Sequence, residues 1–470
     1  MSTKLPDFQQ SISDSASSKG VGNYRWYICA LIFFATTVNY LDRQVLSLLK
    51  PRLEEEFGWS NTDYANIAAA FQFTYAIGLL FAGRIIDKLG TKKGYAWAIV
   101  IWSAGAIVHA KAIPIGGSIA AILGWIGIAA IPVSVLGFVF ARAILAIGEA
   151  GNFPAAMKAT AEYFPKKERS LAVGIFNSGT TIGAILAPLT VPWIAEKWGW
   201  QAAFIIIGLI GFLWLLFWYF HYDKPEKQKR LSTAELSYIQ SDADEKQIAE
   251  EAGKEKKVPW VKLLGYKQTW AFAIGKFMTD GVWWFFLFWL PAYLKDQYHM
   301  KDTDMAIPLA VLYSMTMVGS IGGGWFPAHF IKKGYAAYDG RMKAMLIIAF
   351  IPLVVLAAQP LGGISFWMPV LLIGVGASAH QAWSANIFTT VVDMFPKKAV
   401  GSVIGIGGMA GGLGGVIVTK VGGALFDHYK ALGHIETGYT VMFTFCAIAY
   451  LIAWFIMKSL VPRYKLITDL

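Results

Sequence analysis

Arg142 and Glu149 lie seven residues apart between Phe140 and Pro154, inside an otherwise apolar run long enough to sit in a bilayer. Seven residues is nearly two helical turns, so on a helix both side chains point the same way, about 10 Å apart along the axis. A charge facing lipid there costs at least about 2.5–3.5 kcal/mol, so both should face a polar interior. Gly148, Ala150 and Gly151 surround the glutamate and let another helix approach its backbone closely. Two readings follow: a buried structural ion pair, or a substrate and proton site in a polar cavity. We favour the second. An Arg fork binds a carboxylate bidentately and stays protonated at physiological pH, while a poorly hydrated acid can hold a proton.

Other polar residues also fall inside apolar runs. Tyr40 and Arg43 share a face at i,i+3, and Asp42 is turned about 100° from Arg43. Asp42 and Arg43 could snorkel to the outer headgroups, but apolar sequence continues through Leu48 and Leu49, which favours a cavity. Gln72 and Tyr75 share a face in the second run. Asn177, Ser178, Thr180 and Thr181 could join helices or meet the hydroxyls of a polar ligand, and helix glue suits most of them better. Lys276 and Asp280, at i,i+4, can pair and so sit in the membrane cheaply, with a contact from Lys276 to an anionic ligand left open. The aromatic run Trp283 to Trp289 reads either as lipid-facing packing or as a stacking wall for a sugar ring. From His380 to Asn386, hydrogen-bonding side chains recur on consecutive turns, which is expensive unless they face a cavity. Gln381 and Ser384 could bond hydroxyls, Trp383 offers a flat apolar face, and His380 is read as structural.

The elements that must position these residues are membrane helices. Of 470 residues, 56% are hydrophobic and 15% charged, against about 25% charged in soluble proteins, and the mean hydropathy is +0.49. Continuous apolar runs of about 20 residues suit roughly twelve spans and disfavour a β-barrel, whose strands alternate. The net charge of +11 does not mark a nucleic-acid surface, because the bases are dispersed. They gather at Lys88, Lys92 and Lys93, at Lys166, Lys167 and Arg169, at Lys332, Lys333, Arg341 and Lys343, and at Lys397 and Lys398. Each group follows an even-numbered span, which places both termini in the cytoplasm of a multi-pass cell-membrane protein. Cys29 and Cys446 fall within spans as packing residues. The chain carries no His-Glu-x-x-His, no Gly-x-Ser-x-Gly and no Cys/His cluster, which argues against a metal, a cofactor or an embedded enzyme.

The order along the chain is a polar tail without a signal peptide (1–23), a six-helix half (24–222), a charged cytoplasmic linker (223–268), a second six-helix half (269–460) and a short tail (461–470). Ser232 and Glu235 form a capping box that should start a surface helix in the linker. The apolar, Gly-rich segment 111–134 is too long for a simple loop and reads as an extracellular hairpin or re-entrant element. Gly83 to Gly94 has the composition of a gating turn at the cytoplasmic face. Gly83 and Gly90 permit close approach, and Asp87 can accept from a helix N-terminus. Phe164-Pro165 with two lysines recurs as Phe395-Pro396 with two lysines, an offset of 395 − 164 = 231, close to half the chain. Gly174 and Gly183 match Gly405 and Gly414 at that offset, and Gly322 to Gly334 is a worn copy of the gating turn. Two parallel repeats imply a site at their interface near the midplane, which is transporter architecture.

On these residues the chain resembles the major facilitator superfamily, an all-α membrane fold of about twelve helices in two pseudo-symmetric halves. Within it, the chain is similar to the anion:cation symporters that take up sugar acids, especially the hexuronate transporters. The resemblance covers about Tyr24 to Pro462 and is carried by Gly83–Gly94, Tyr40–Arg43, Arg142 with Glu149–Pro154, and His380–Asn386. It implies that Arg43 and Arg142 recognise or gate for a substrate carboxylate and that Asp42 and Glu149 couple protons. Tyr40 and Tyr75 would line the substrate site, joined by Thr180 and, from the second half, Gln381, Trp383 and Ser384. Gly411-Gly412-Leu413 stands where some sugar-acid relatives carry Gly-Asn-Leu, and Thr180 stands where a Gln can occur. The resulting expectation is proton-coupled uptake of glucuronate or galacturonate by alternating access, in a monomer with H+ as the coupling ion. Symport of galactonate or glucarate and exchange of a sugar phosphate are the alternatives within transport, and a membrane nutrient sensor is a different class.

Overall fold

The computed structural model describes residues 22–127, 131–241, 258–468 and 470. Most of the expected N-terminal tail and the Glu250–Lys257 part of the linker lie outside the described residues. The first half comprises α1 (Tyr24–Phe57), α2 (Asn61–Leu89), α3 (Thr91–His109), α4 (Ala112–Trp125), α5 (Val133–Glu149), α6 (Asn152–Tyr163), α7 (Lys166–Trp198) and α8 (Trp200–His221). Two short helices, α9 (Thr233–Ile239) and α10 (Trp260–Leu263), lie in the connection. The second half begins with α11 (Lys267–Tyr298), α12 (Ala306–Lys332) and α13 (Ala337–Phe350), the last running through a 3-10 stretch into α14 (Ala358–Gly362). It ends with α15 (Trp367–Met394), α16 (Lys397–Ala431) and α17 (Ile435–Leu460).

Among the described residues, eight stretches are long and apolar enough to cross a bilayer, or nine with the bent pair α3–α4. The remaining long helices, α1, α11 and α15, have 34, 32 and 28 residues. At about 1.5 Å per residue each also has the length to span. They are less apolar because they carry Asp42 and Arg43, Lys276 and Asp280, and His380 to Asn386. The architecture is the expected one, six spans in each half. An even number of spans brings both termini to one side, the near side; the opposite face is the far side.

The apolar segment after α3 is helical, and its sharp bend makes it either a broken span or a re-entrant element. It forms α4, bent by 90° from α3, and packs backbone to backbone on α5. A Cβ on Gly116 would collide with the Val133 carbonyl, and one on Gly137 with the Ala112 carbonyl.

The repeat seen in sequence is geometric as well. Phe164 (φ −123°, ψ 130°) and Phe395 (φ −111°, ψ 145°) end their helices alike. The prolines that follow start α7 and α16 with φ −64° and −62°. Gly183 of α7 lies against the Thr37 carbonyl and Tyr40 of α1, and Gly414 of α16 lies against the Phe277 carbonyl of α11. Each half therefore packs its fifth span on its first through a glycine at the same offset. Gly90 and Gly334, in the two turns, have φ of 77° and 92°, where a side chain is strained.

Ser232 caps α9 as expected, accepting from the Glu235 amide at 3.1 Å. Glu235 does not complete the box. Its carboxylate accepts from the amides of Tyr24 (3.2 Å) and Arg25 (3.0 Å), at the N-terminus of α1. Negative charge is favourable there, and the contact fastens the linker to the first helix.

Candidate functional site

Four of the expected ionisable residues meet inside the first half. The α5 helix ends at Glu149 and the chain resumes helically at Asn152. Gly148 allows this stretch to rest against the backbone of Ala98 and Trp102 in α3. The partner of Glu149 is not Arg142, its neighbour on the same helix, but Arg43 from α1. Arg43 Nε and Nη2 both donate to Glu149 Oε2, at 2.9 and 2.8 Å, with the two side chains 3% and 0% exposed. Periodicity could align Arg142 with Glu149 but could not disclose a partner 106 residues away.

The Arg43 guanidinium is also held by aromatic faces. Its centre lies 4.6 Å from the Tyr40 ring, 4.7 Å from Tyr75, and 5.3 Å from both Phe71 and Trp284. Such contacts stabilise a cation that has left water. Tyr40 and Tyr75, from α1 and α2, thus stand beside Arg43. Phe71 was not expected. Trp284 belongs to the run read as lipid packing or as a stacking wall; it is buried and brings the second half to Arg43.

Arg142 donates from Nη2 to the Arg43 carbonyl at 3.2 Å and stands 5.3 Å from the Phe71 ring. Its Nε and Nη1 have no hydrogen-bond partner, nor do Glu149 Oε1 and either oxygen of Asp42. Arg142 and Asp42 are 1% and 2% exposed. Buried polar atoms are normally paired, so these unmatched donors and acceptors, around a guanidinium already holding a carboxylate, describe a site with capacity for an anion and a proton.

The second half contributes differently. Lys276 and Asp280 form the expected ion pair, at 2.7 Å. The Lys276 ammonium stands 4.5 Å from the Phe388 ring of α15. Gln381 and Ser384 are half-buried on the same α15 face as Phe388, at i, i+3 and i+7. Trp383 is not brought to the cluster. It is fully buried, and its ring meets that of Tyr450 in α17 edge-on at 5.6 Å. His380 hydrogen-bonds the Tyr450 hydroxyl at 2.9 Å and stacks on Trp283 at 5.2 Å, in keeping with a structural role. Thr180 donates to the Asn177 carbonyl of its own helix at 2.8 Å.

Polar contacts between the halves gather on the far side. The Asp427 carboxylate of α16 accepts from the Asn61 and Thr62 amides at 2.8 Å each, capping the N-terminus of α2. Glu54 is shared between Lys50 of its own helix and Lys430, at 2.6 and 2.7 Å. Tyr64 donates to the Phe288 carbonyl and Gln72 to Thr419, at 2.8 and 2.9 Å. On the near side, Leu80, Phe81 and Arg84 of α2, Val258 to Trp260, and Ser402 of α16 line a cavity of about 320 Å³. The gating turn belongs to this open face. Asp87 is paired with the Lys158 ammonium of α6 at 3.0 Å rather than with a helix N-terminus. Nothing lies within 4 Å of a Cβ built on Gly83, so the close approach expected of it is not made in this conformation.

With this geometry in view, the chain can be set beside known proteins. The Major Facilitator Superfamily profile matches residues 32–419. The hexuronate transporter of Escherichia coli (strain K12) is 30% identical over 438 residues, covering 93% of this chain and 94% of the relative. The galacturonate transporter of Dickeya chrysanthemi is 32% identical over 357 residues, 76% of this chain and 95% of the relative. A bacterial homologue of the human lysosomal transporter Spinster, in an inward-facing and occupied conformation, has a TM-score of 0.70 at 18% identity, with 96% and 100% covered. At that identity the likeness concerns the fold. These relatives are transporters, not enzymes.

Proposed function

The chain belongs to the Major Facilitator Superfamily, and on that premise we propose that it carries a hexuronate such as glucuronate or galacturonate into the cell together with a proton. The observation that carries this reading is the Arg43–Glu149 pair, in which one guanidinium is held by one carboxylate at 2.9 and 2.8 Å. A substrate carboxylate can take that fork only if Glu149 gives it up, and a proton on Glu149 is what releases it. The charge balance leads to the same requirement. Arg43 and Arg142 are matched by Asp42 and Glu149, so a monoanion entering this buried cluster leaves it one charge negative unless a proton comes too. Uncompensated charge at this depth is expensive.

Arg142 and Asp42, with unmatched buried atoms beside the pair, are the second cation and second acid of the site. Tyr40, Tyr75 and Trp284 offer ring faces to the sugar, while Gln381, Ser384 and Thr180 offer groups for its hydroxyls. The basic clusters make the near side the cytoplasmic face of the cell membrane. The contacts around Asp427 and Glu54 then close the outside while the cavity below Phe81 opens inward. We take the functional unit to be a monomer, because each chain holds both halves and the site between them.

The reading is tested by uptake of radiolabelled glucuronate into proteoliposomes, with and without an inward proton gradient. Galacturonate, gluconate and glucose-6-phosphate serve as competitors. Gradient-dependent accumulation blocked by galacturonate is the expected result. Competition by the phosphate alone would move the protein to the exchanger class, with Arg43 and Arg142 as phosphate ligands.

A further inference from the structure

We propose that the Lys276–Asp280 pair is the second pole of the substrate site. It holds the uncharged hydroxyl end of a monocarboxylate sugar and excludes sugar acids that carry a carboxylate at both ends. The inference rests on the hexuronate reading above and adds a determinant of specificity to it.

Its basis is the face of α11. Lys276, Asp280 and Trp284 follow one another at intervals of four and so line one face. Trp284 stands 5.3 Å from the Arg43 guanidinium. That face therefore runs from the Arg43 cluster toward the near side. Asp280 lies about 6 Å along the axis from the level of Trp284, close to the length of a six-carbon ring acid, and the Lys276 ammonium reaches back to it at 2.7 Å. Asp280 lies against Gly411 of α16, one turn of α11 from the Trp284 ring that meets Arg43 of the first half. A sugar acid with its carboxylate at Arg43 thus extends its far hydroxyls toward this pair.

The surroundings are built for the pair. The Asp280 carboxylate occupies the space that a Cβ on Gly411 would need, so this glycine is what lets it sit against α16. Lys276 and Asp280 side chains are 7% and 18% exposed. Two apolar residues would satisfy this depth at least as well as a buried ion pair does, so stability alone does not account for the charges. Together, the ammonium donates to hydroxyl oxygens and the carboxylate accepts from hydroxyl hydrogens, with Gln381 and Ser384 adding neutral groups from α15. A second carboxylate arriving here would meet a cation already neutralised and an anion beside it. Counting all six groups, Arg43, Arg142 and Lys276 balance Asp42, Glu149 and Asp280. A monocarboxylate with one proton keeps that balance, and a dicarboxylate with one proton breaks it.

The test compares initial uptake of glucuronate and glucarate into proteoliposomes holding the full chain, as wild type, Asp280→Asn and Asp280→Glu. Asp280→Asn frees the Lys276 charge and should raise the glucarate-to-glucuronate rate ratio at least tenfold, while Asp280→Glu keeps the wild-type ratio. A parallel fall of both substrates in Asp280→Asn would make the pair a structural fastener and overturn the inference. The double variant Lys276→Met with Asp280→Leu, apolar like the rest of the helix, guards against misfolding of the single one. Its KM for glucuronate should rise at least tenfold with kcat little changed, and an unchanged KM would equally overturn the inference. Wild type that takes up neither sugar acid would instead defeat the hexuronate reading itself.

Discussion

Replacing Glu149 by Gln separates binding from coupling. On the proposed reading, a substrate monoanion and one proton enter the wild-type cluster of two arginines and two acids without changing its charge. Such a pair also moves no net charge across the membrane, so the potential adds nothing and the pH difference is the whole driving force. One proton at a difference of one pH unit is worth about 1.4 kcal/mol, which limits accumulation to about tenfold. The amide of Gln cannot take the proton, and it leaves the cluster one charge positive before substrate arrives. The anion then binds without a proton. Gln keeps a carbonyl oxygen where Oε2 accepts both Arg43 bonds, so the cost to stability should stay below the about 3–5 kcal/mol of leaving a buried partner unmatched. The expected outcome is near-normal counterflow of labelled glucuronate with no accumulation beyond equilibrium. The assay uses proteoliposomes at a one-unit pH difference with the potential clamped. Accumulation to the wild-type ratio would refute the reasoning and pass the coupling role to Asp42, whose oxygens are likewise unpartnered. Loss of counterflow from a variant that still elutes as a monodisperse protein would make Glu149 a binding group instead.

Four further substitutions probe other parts of the structure. Arg43→Lys keeps the charge but loses the double donation to Glu149. Bonds to charged groups are worth about 1.5–3 kcal/mol, so substrate affinity read by ligand-induced thermal stabilisation should fall at least about tenfold. Asp427→Asn removes the charge that caps α2 across the halves. With a helix-terminus charge worth about 0.3–1 kcal/mol, labelling of a cysteine placed at Ala65 by a membrane-impermeant thiol reagent should quicken by up to about fivefold, and unchanged labelling would count against a role in far-side closure. Gly137→Ala drives a Cβ into the Ala112 carbonyl and should lower stability by about 1–3 kcal/mol. Gly83→Ala, inside α2 and facing open space, should hold or slightly raise the thermal midpoint, since Ala is favoured over Gly in a helix by about 0.5–1 kcal/mol.

What could be read in advance follows from the range of each interaction. The spans were legible because apolar length is a local property, and the repeat because Phe164-Pro165 and Phe395-Pro396 impose the same local backbone. Lys276 and Asp280 were legible as a pair because i,i+4 neighbours meet on any helix. The same logic stopped short at Glu149, where only a helical neighbour was visible and the partner, Arg43, lay on another span. Asp87 repeats the lesson, since Lys158 of α6 takes the place of the helix end that its own turn suggested. Trp383 shows the limit of a residue's type. A flat ring suits a sugar or a helix interface equally, and only the position of Tyr450 decides between them.

The position of Arg43 along α1 connects the site to the gate. About 16 Å farther along the same helix, Glu54 takes the Lys430 ammonium of the opposite half at 2.7 Å. Between them Lys50, 1% exposed, holds Glu54 at 2.6 Å. Around Arg43 itself, three of the caging rings and the Glu149 carboxylate come from the first half, while Trp284 comes from the second. Exchanging Glu149 for a substrate carboxylate at Arg43 therefore alters a cation that both halves touch, on the helix that also carries the far-side latch. The far side can open only by parting Glu54 from Lys430 and Asp427 from α2. The continuous helix α1 gives occupancy of the site and closure of the gate a common element to act on, which is the physical requirement for alternating access.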